Sequence, residues 1–169
     1  MSFRGYAEAD DPPIALAWAI RLLRRKRRKA GSVALVASCG NDASCRPTWP
    51  AVLRGVIGVG ALGADSPAPF TNFGPNARAC APGVDIISTF LFDLDPGRAM
   101  WTANSCSDLA DFQGWASWSG TSFSAPIVGA ELAWEAMTSG QSLREIVRRR
   151  IDDPGLTRIA GLGTIMNVC

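Results

Sequence analysis

Apolar positions recur along the chain in two rhythms, one helical and one of short unbroken runs. "IALAWAIRLLRRKRRKAG" (Ile14–Gly31) follows Asp10, Asp11 and two prolines. Proline is tolerated in a helix's first turn and aspartate caps it, so this segment predicts a helix to about Lys29, closed by Gly31. "SVALVASCGND" and "GVIGVGAL" (Gly55–Leu62) are short, β-branched and apolar, and predict buried strands that run into loops. "GVDIISTF" (Gly83–Phe90), bounded by glycine and proline turns, predicts a third such strand. From Phe92 to Ala116 aspartates, tryptophans and small polar residues indicate a long loop or hairpin. "SFSAPIVGAELAWEAMTSG" is apolar or small nearly all round, the pattern of a buried helix, with Gly140 as its end. "SLRE" (Ser142–Glu145) is a capping box before a helix that Pro154 stops, and an irregular or short-strand tail closes the chain. Alternating strands and helices predict an α/β protein, a parallel β-sheet flanked by helices.

At 169 residues and 47% hydrophobic the chain has the size of one domain. Its net charge of +2 argues for neither a nucleic-acid nor a membrane partner. The cations between Arg21 and Lys29 read as a solvated helix end, since no aromatic or glycine interleaving accompanies them. No run approaches the roughly 18 apolar residues of a membrane span, and no signal-peptide pattern opens the chain, so as written it reads as cytoplasmic. Cys39, Cys45, Cys80, Cys106 and Cys169 contain no CxxC, and the chain has no histidine, which argues against zinc. Buried free thiols and one or two disulfides both stay open for them. Asp93, Asp95, Asp108 and Asp111 lack the spacing of an EF-hand and read as surface loop acids; no metal is assigned.

"GTSFSAP" (Gly120–Pro126) places Ser122 at a helix start, where free N–H groups and the positive dipole end favour a developing oxyanion. Asn41, in "SCGND" at the mouth of a strand, is placed to add a side-chain N–H. Each signal alone has a bland reading, as a helix cap and a turn residue.

Together with the segments between them they resemble the subtilisin-like serine peptidases. "SFRG" is similar to that family's substrate-binding strand and "VALVASCGN" to the strand ending at its oxyanion-hole asparagine. "VIGVGAL", "FTNFGPNARACAPGVDIIST" and "WSGTSFSAPIVGA" resemble its next strand, its central segment and its nucleophile motif. The resemblance implies an endopeptidase domain acting through an acyl-enzyme on Ser122, with Asn41 in the oxyanion hole and Gly120 and Thr121 shaping the turn. It implies that Ser2, Phe3 and Arg4 with Ala37, Ser38, Cys39 and Gly40 line a cleft that pairs with an extended substrate. The family's catalytic aspartate and histidine precede all these motifs. The chain therefore reads as the C-terminal half of such a domain, N-terminally truncated and inactive alone. A polypeptide substrate and an N-terminal fragment carrying Asp and His are its implied partners, and export is implied for a full-length parent. Calcium occurs in the family, but no site for it is identified here. Two departures stand out: Arg4 replaces the usual cleft-strand glycine, which blocks or recharges the pocket, and Ile127 replaces a histidine after the motif's proline. Two other readings stay open, a sedolisin-like peptidase that uses carboxylates and a non-catalytic, peptide-binding remnant.

Overall fold

The computed structural model describes residues 1–27, 33–92 and 113–166, which form two compact units, Met1–Val84 with Gly120–Cys169 and Asp85–Ser119. In the first unit, strands β1 (Leu35–Ser38), β2 (Val56–Leu62), β3 (Ala77–Pro82) and, near the C-terminus, β7 (Gly163–Ile165) lie parallel. The order across the sheet is β1-β2-β3-β7-β6, with β6 (Arg158–Ile159) antiparallel at the far edge. Helix α1 (Ile14–Arg27) covers one face through Ile20, packed with Ala37, Cys39, Val56, Ala77, Cys80 and Leu162. Helices α2 (Thr121–Ser139) and α3 (Leu143–Val147), with a π-helical turn at Arg148–Asp152, cover the other. There Val128, Leu132, Ile146 and Ile151 meet Ile57, Val59, Ala79 and Ala81. The expected α/β architecture, a mostly parallel sheet between helices, is the observed one.

The third parallel strand is not where the apolar pattern put it. "ARACAP" supplies it, a stretch whose small residues and proline carry little strand signal. "GVDIISTF" instead enters the second unit as β4 (Ile86–Phe92), antiparallel to β5 (Gln113–Trp118). Its residues alternate between half-buried and exposed, and Ile87 is 73% exposed, as expected of a hairpin and not of a central strand.

Two helix expectations also change. Asp10 does not cap α1: it adopts a left-handed φ of 56° and its carboxylate pairs with Arg46 Nε at 2.7 Å. Helix α2 is buried along one face only, leaving Pro126, Ala130, Ala133, Trp134 and Met137 exposed. The other punctuation holds, with Gly140 ending α2 at φ 68° and Ser142 and Glu145 closing both bonds of the capping box before α3. Gly31 and most of the 92–116 segment, including Asp93, Asp95, Asp108 and Asp111, lie outside the described residues, as do Cys106 and Cys169. Cys39, Cys45 and Cys80 are free thiols. No helix among the described residues is long and apolar enough to cross a membrane.

Candidate active site

Three chain segments meet where β1 ends and α2 begins. Gly40 leaves β1 with φ 111°, a left-handed conformation that a side chain would oppose. A Cβ there would also lie 2.6 Å from Asn72 Nδ2 and 3.0 Å from Arg4 Cδ. This turn brings Asn41 to the N-terminus of α2. Asn41 Oδ1 accepts hydrogen bonds from Thr121 N (2.9 Å) and Thr121 Oγ1 (2.8 Å), while Gly40 N donates to Thr121 Oγ1 at 3.1 Å. Because the Thr121 N–H can only donate, the Asn41 atom facing it must be the oxygen. The Nδ2 donor is thereby turned the other way, and it has no acceptor among the described residues.

Where Nδ2 points follows from Gly120. A Cβ built on Gly120 would lie 3.0 Å from Asn41 Nδ2 and 3.8 Å from Ser122 N. Two N–H donors thus border one small space that the absent side chain leaves open. Ser122 N lies in the first turn of α2, where backbone donors have no intrahelical acceptor.

Ser122 itself is half-buried and bonded reciprocally to Ser2. Its Oγ donates to the Ser2 carbonyl at 3.2 Å, and Ser2 Oγ donates to the Ser122 carbonyl at 3.1 Å. That carbonyl is free because of Pro126: in an α-helix it would accept from the N–H four residues on, and proline has none. The Ser2 carbonyl is not a base, and the chain contains no histidine. Among the described residues, no side chain is bonded to the Ser122 hydroxyl to take its proton.

Ser2, Phe3 and Arg4 are exposed, with Ser2 bonded to Ser122, and the segment ends where Gly5 bridges Trp49 in antiparallel register. Of the strand residues expected to line a cleft, Ala37 and Cys39 instead bury their side chains in the core beneath α1. Alternation along β1 sends Ser38 toward the opposite face, where its buried Oγ has no hydrogen-bond partner among the described residues. Burial pushes the Cys39 thiol up to about 12, so it is not nucleophilic at neutral pH.

Arg4 does not leave a free positive charge at the site. Its guanidinium holds Asp42, with Nη2 donating to Oδ1 at 2.9 Å and Nη1 at 2.5 Å from Oδ2. Tyr6 Oη donates to Asp42 Oδ2 at 2.6 Å and accepts from Asn72 Nδ2 at 3.1 Å. The Tyr6 hydrogen bond foremost, then the bonds and charge of Arg4, hold the Asp42 carboxyl below its usual value against partial desolvation.

Sequence reasoning missed Asn72 and Gly83. Asn72 is 3% exposed; its Oδ1 accepts from Asp42 N (2.8 Å) and Ser44 N (3.2 Å), and its own N donates to Gly40 O (2.9 Å). It braces the loop carrying Asn41 through backbone groups, which leave no residue pattern to read. Gly83 accepts from Gly120 N at 2.7 Å, and a Cβ on it would collide with Ser124 Oγ and lie 2.8 Å from Ala61 Cβ. The glycine lets β3's exit loop reach the turn at Gly120.

The model of the subtilase family matches residues 5–163. A thermophilic serine proteinase of Bacillus sp. (strain AK1) is 36% identical over 135 residues, 79% of this chain and 28% of that protein. Among solved structures, the prenylagaramide maturation protease PagA superposes with a TM-score of 0.66 at 23% identity, covering 94% of this chain and 54% of that one. A lanthipeptide protease gives 0.67 at 20% identity, covering 96% and 56%. The chain thus spans about half the length of these structural relatives and a smaller share of the curated one. With the family matched across almost the whole sequence, the chain belongs to the subtilase family of serine peptidases.

Proposed function

We propose that this chain carries the nucleophile and oxyanion half of a serine endopeptidase site, whose acid and base lie outside these 169 residues. The observation that supports it most is the convergence of Asn41 Nδ2 and Ser122 N on the side-chain space of Gly120. In this reading the Ser122 hydroxyl attacks a peptide carbonyl, and its proton passes to a base that lies outside these 169 residues. The carbonyl oxygen, now an anion, receives the two N–H donors, and the amine leaves with the transferred proton to give an acyl-enzyme that water hydrolyses. The exposed Ser2–Arg4 segment runs alongside an extended substrate, with the Ser2 carbonyl released by Ser122 for backbone pairing.

Without the base only a residual acceleration of about 10³- to 10⁴-fold over water remains, from the oxyanion hole and binding. The test is reaction of the purified chain with a fluorophosphonate probe, alone and with a subtilase N-terminal fragment carrying Asp and His; Ser122→Ala is the control. Labelling that requires both Ser122 and the fragment is the expected result. Rapid Ser122-dependent labelling of the chain alone would mean that a group other than histidine serves as base, as in the carboxylate-dependent reading. No labelling under any condition would leave a non-catalytic remnant. In the complemented protein Asn41→Ala lowers kcat by about 10²- to 10³-fold, the usual loss for one oxyanion donor.

A further inference from the structure

Helix α1 is apolar on two sides. Inward it packs Leu16 and the buried Ile20 against the sheet. Trp18 and Leu22, two residues either side of Ile20, point about 160° away from it. With Ile14 they recur every four residues, so the three stack into one stripe along the outward side. Ile14 is 87%, Trp18 56% and Leu22 38% exposed. A row of large apolar side chains in water marks a contact surface, where single scattered ones would not.

The charge beside that stripe has one sign. Arg21 and Arg25, both exposed, stand three residues after Trp18 and Leu22 and so flank them. Neither has a hydrogen-bond or ion-pair partner among the described residues. Arg24 differs: its Nη1 donates to Arg54 O at 2.9 Å and ties the helix to the turn before β2. Every charged residue between Pro12 and Asn41 is a cation, which the whole-chain charge of +2 conceals. In the sequence these cations read as a solvated helix end for want of an accompanying aromatic. On the folded helix Trp18 stands one turn from Arg21, on the same outward side.

We infer that the outward face of α1 docks on an anionic lipid bilayer, with the helix lying in the plane of the headgroups. Ile14, Trp18 and Leu22 enter the boundary between headgroups and acyl chains, while Arg21 and Arg25 reach the lipid phosphates and carboxylates. Trp18 suits that depth, because its ring is apolar and its indole N–H meets headgroup acceptors. The arginine stems lie along apolar surface and keep their guanidinium groups in the polar layer. A nucleic acid would take the cations but offers Ile14 and Leu22 no apolar partner. A protein interface would centre the stripe in a region depleted of charge, whereas here cations adjoin it. Helix α1 and helix α2, which carries Ser122, cover opposite faces of the sheet, so docking leaves the nucleophile's side free. The inference is independent of the reading under Proposed function.

The test is co-sedimentation of the full chain with vesicles of phosphatidylcholine alone, or with about one-third phosphatidylserine to make the surface anionic. The expected result is saturable binding to the anionic vesicles, about tenfold or more tighter than to the neutral ones and weakened by salt. Arg21→Gln combined with Arg25→Gln should weaken it by about 25-fold, roughly fivefold for each cation lost. Trp18→Ala should weaken it by about tenfold or more, and Trp18→Phe by less. Trp134→Ala, which removes an equally exposed tryptophan on α2, should leave it unchanged. All these side chains are exposed, and an unchanged urea midpoint shows that each variant is folded. On the parent chain, hydrogen exchange should gain protection over Ile14–Arg25 when anionic vesicles are added. No binding to anionic vesicles, equal binding to both kinds, binding indifferent to the arginine pair or to Trp18→Ala, or protection confined to other elements would each overturn the inference. So would a short duplex DNA that displaces the vesicles and binds the Trp18→Ala variant as well as the parent, since the face would then be a nucleic-acid site. Labelling of Ser122 is read separately, and neither of its outcomes bears on vesicle binding.

Discussion

Replacing Thr121 by valine tests whether the site is held by the bonds described. The side chain is 1% exposed, and its hydroxyl both accepts from the buried Gly40 N–H and donates to Asn41 Oδ1. Valine keeps the volume and removes both bonds. Asn41 is exposed, so its oxygen recovers water and retains the Thr121 N–H; losing that bond costs about 0.5–1 kcal/mol. Gly40 is buried and its N–H finds no substitute, which costs about 1–3 kcal/mol as an unsatisfied donor. The sum is roughly 1.5–4 kcal/mol, a shift in melting temperature of about 3–16 °C for a domain of this length. Thr121→Ser keeps the hydroxyl and loses only a methyl, so it should cost about 1 kcal/mol. Urea denaturation of the three proteins at neutral pH measures this, with the m-value expected to stay constant. If Thr121→Val unfolds within about 0.5 kcal/mol of the parent, or if serine costs more than valine, the hydroxyl is not what joins β1's exit to α2, and the argument that Asn41 Nδ2 is aimed by Thr121 fails.

Other consequences can be checked on the same protein. Gly83→Ala should destabilise by about 1–3 kcal/mol through overpacking against Ser124 and Ala61, read as a lower denaturation midpoint. Pro126→Ala restores the N–H that Ser122's carbonyl lacks and should stabilise the protein by about 1–3 kcal/mol, read as a higher denaturation midpoint; a fall would show that the proline is not a local cost to the helix. Asp42 titrates below its unfolded value, so its contribution is complete above about pH 4 and is lost as pH falls through the lower folded value. Arg4→Ala together with Tyr6→Phe should flatten the acid limb of the stability profile without moving its alkaline side. Native-state alkylation at pH 8, mapped by peptide mass, should modify exposed Cys45 and spare Cys39 and Cys80, whose thiols burial pushes up to about 12 and about 11. Modification of Cys39 or Cys80 before unfolding would contradict their placement in the core.

Local chemistry made much of the protein legible in its residues. Gly140 and the Ser142–Glu145 box end and start helices because their bonds involve only near neighbours in sequence, and β1 and β2 announce themselves as unbroken apolar runs. Ser122 and Asn41 stand out as candidates because motifs similar to a family's surround them, each in its own local pattern. What the sequence could not decide was pairing and coverage. "ARACAP" is a central strand because β2 and β7 flank it, while the more strand-like "GVDIISTF" forms a hairpin, since hydrogen-bond partners and not propensity set a strand's place. Asp10 serves Arg46 rather than a helix, and Arg4 is neutralised by Asp42, because in each case the opposite charge arrives from more than thirty residues away. An apolar pattern all round α2 states what the helix would bury, but only the tertiary structure shows which half of it the rest of this chain reaches.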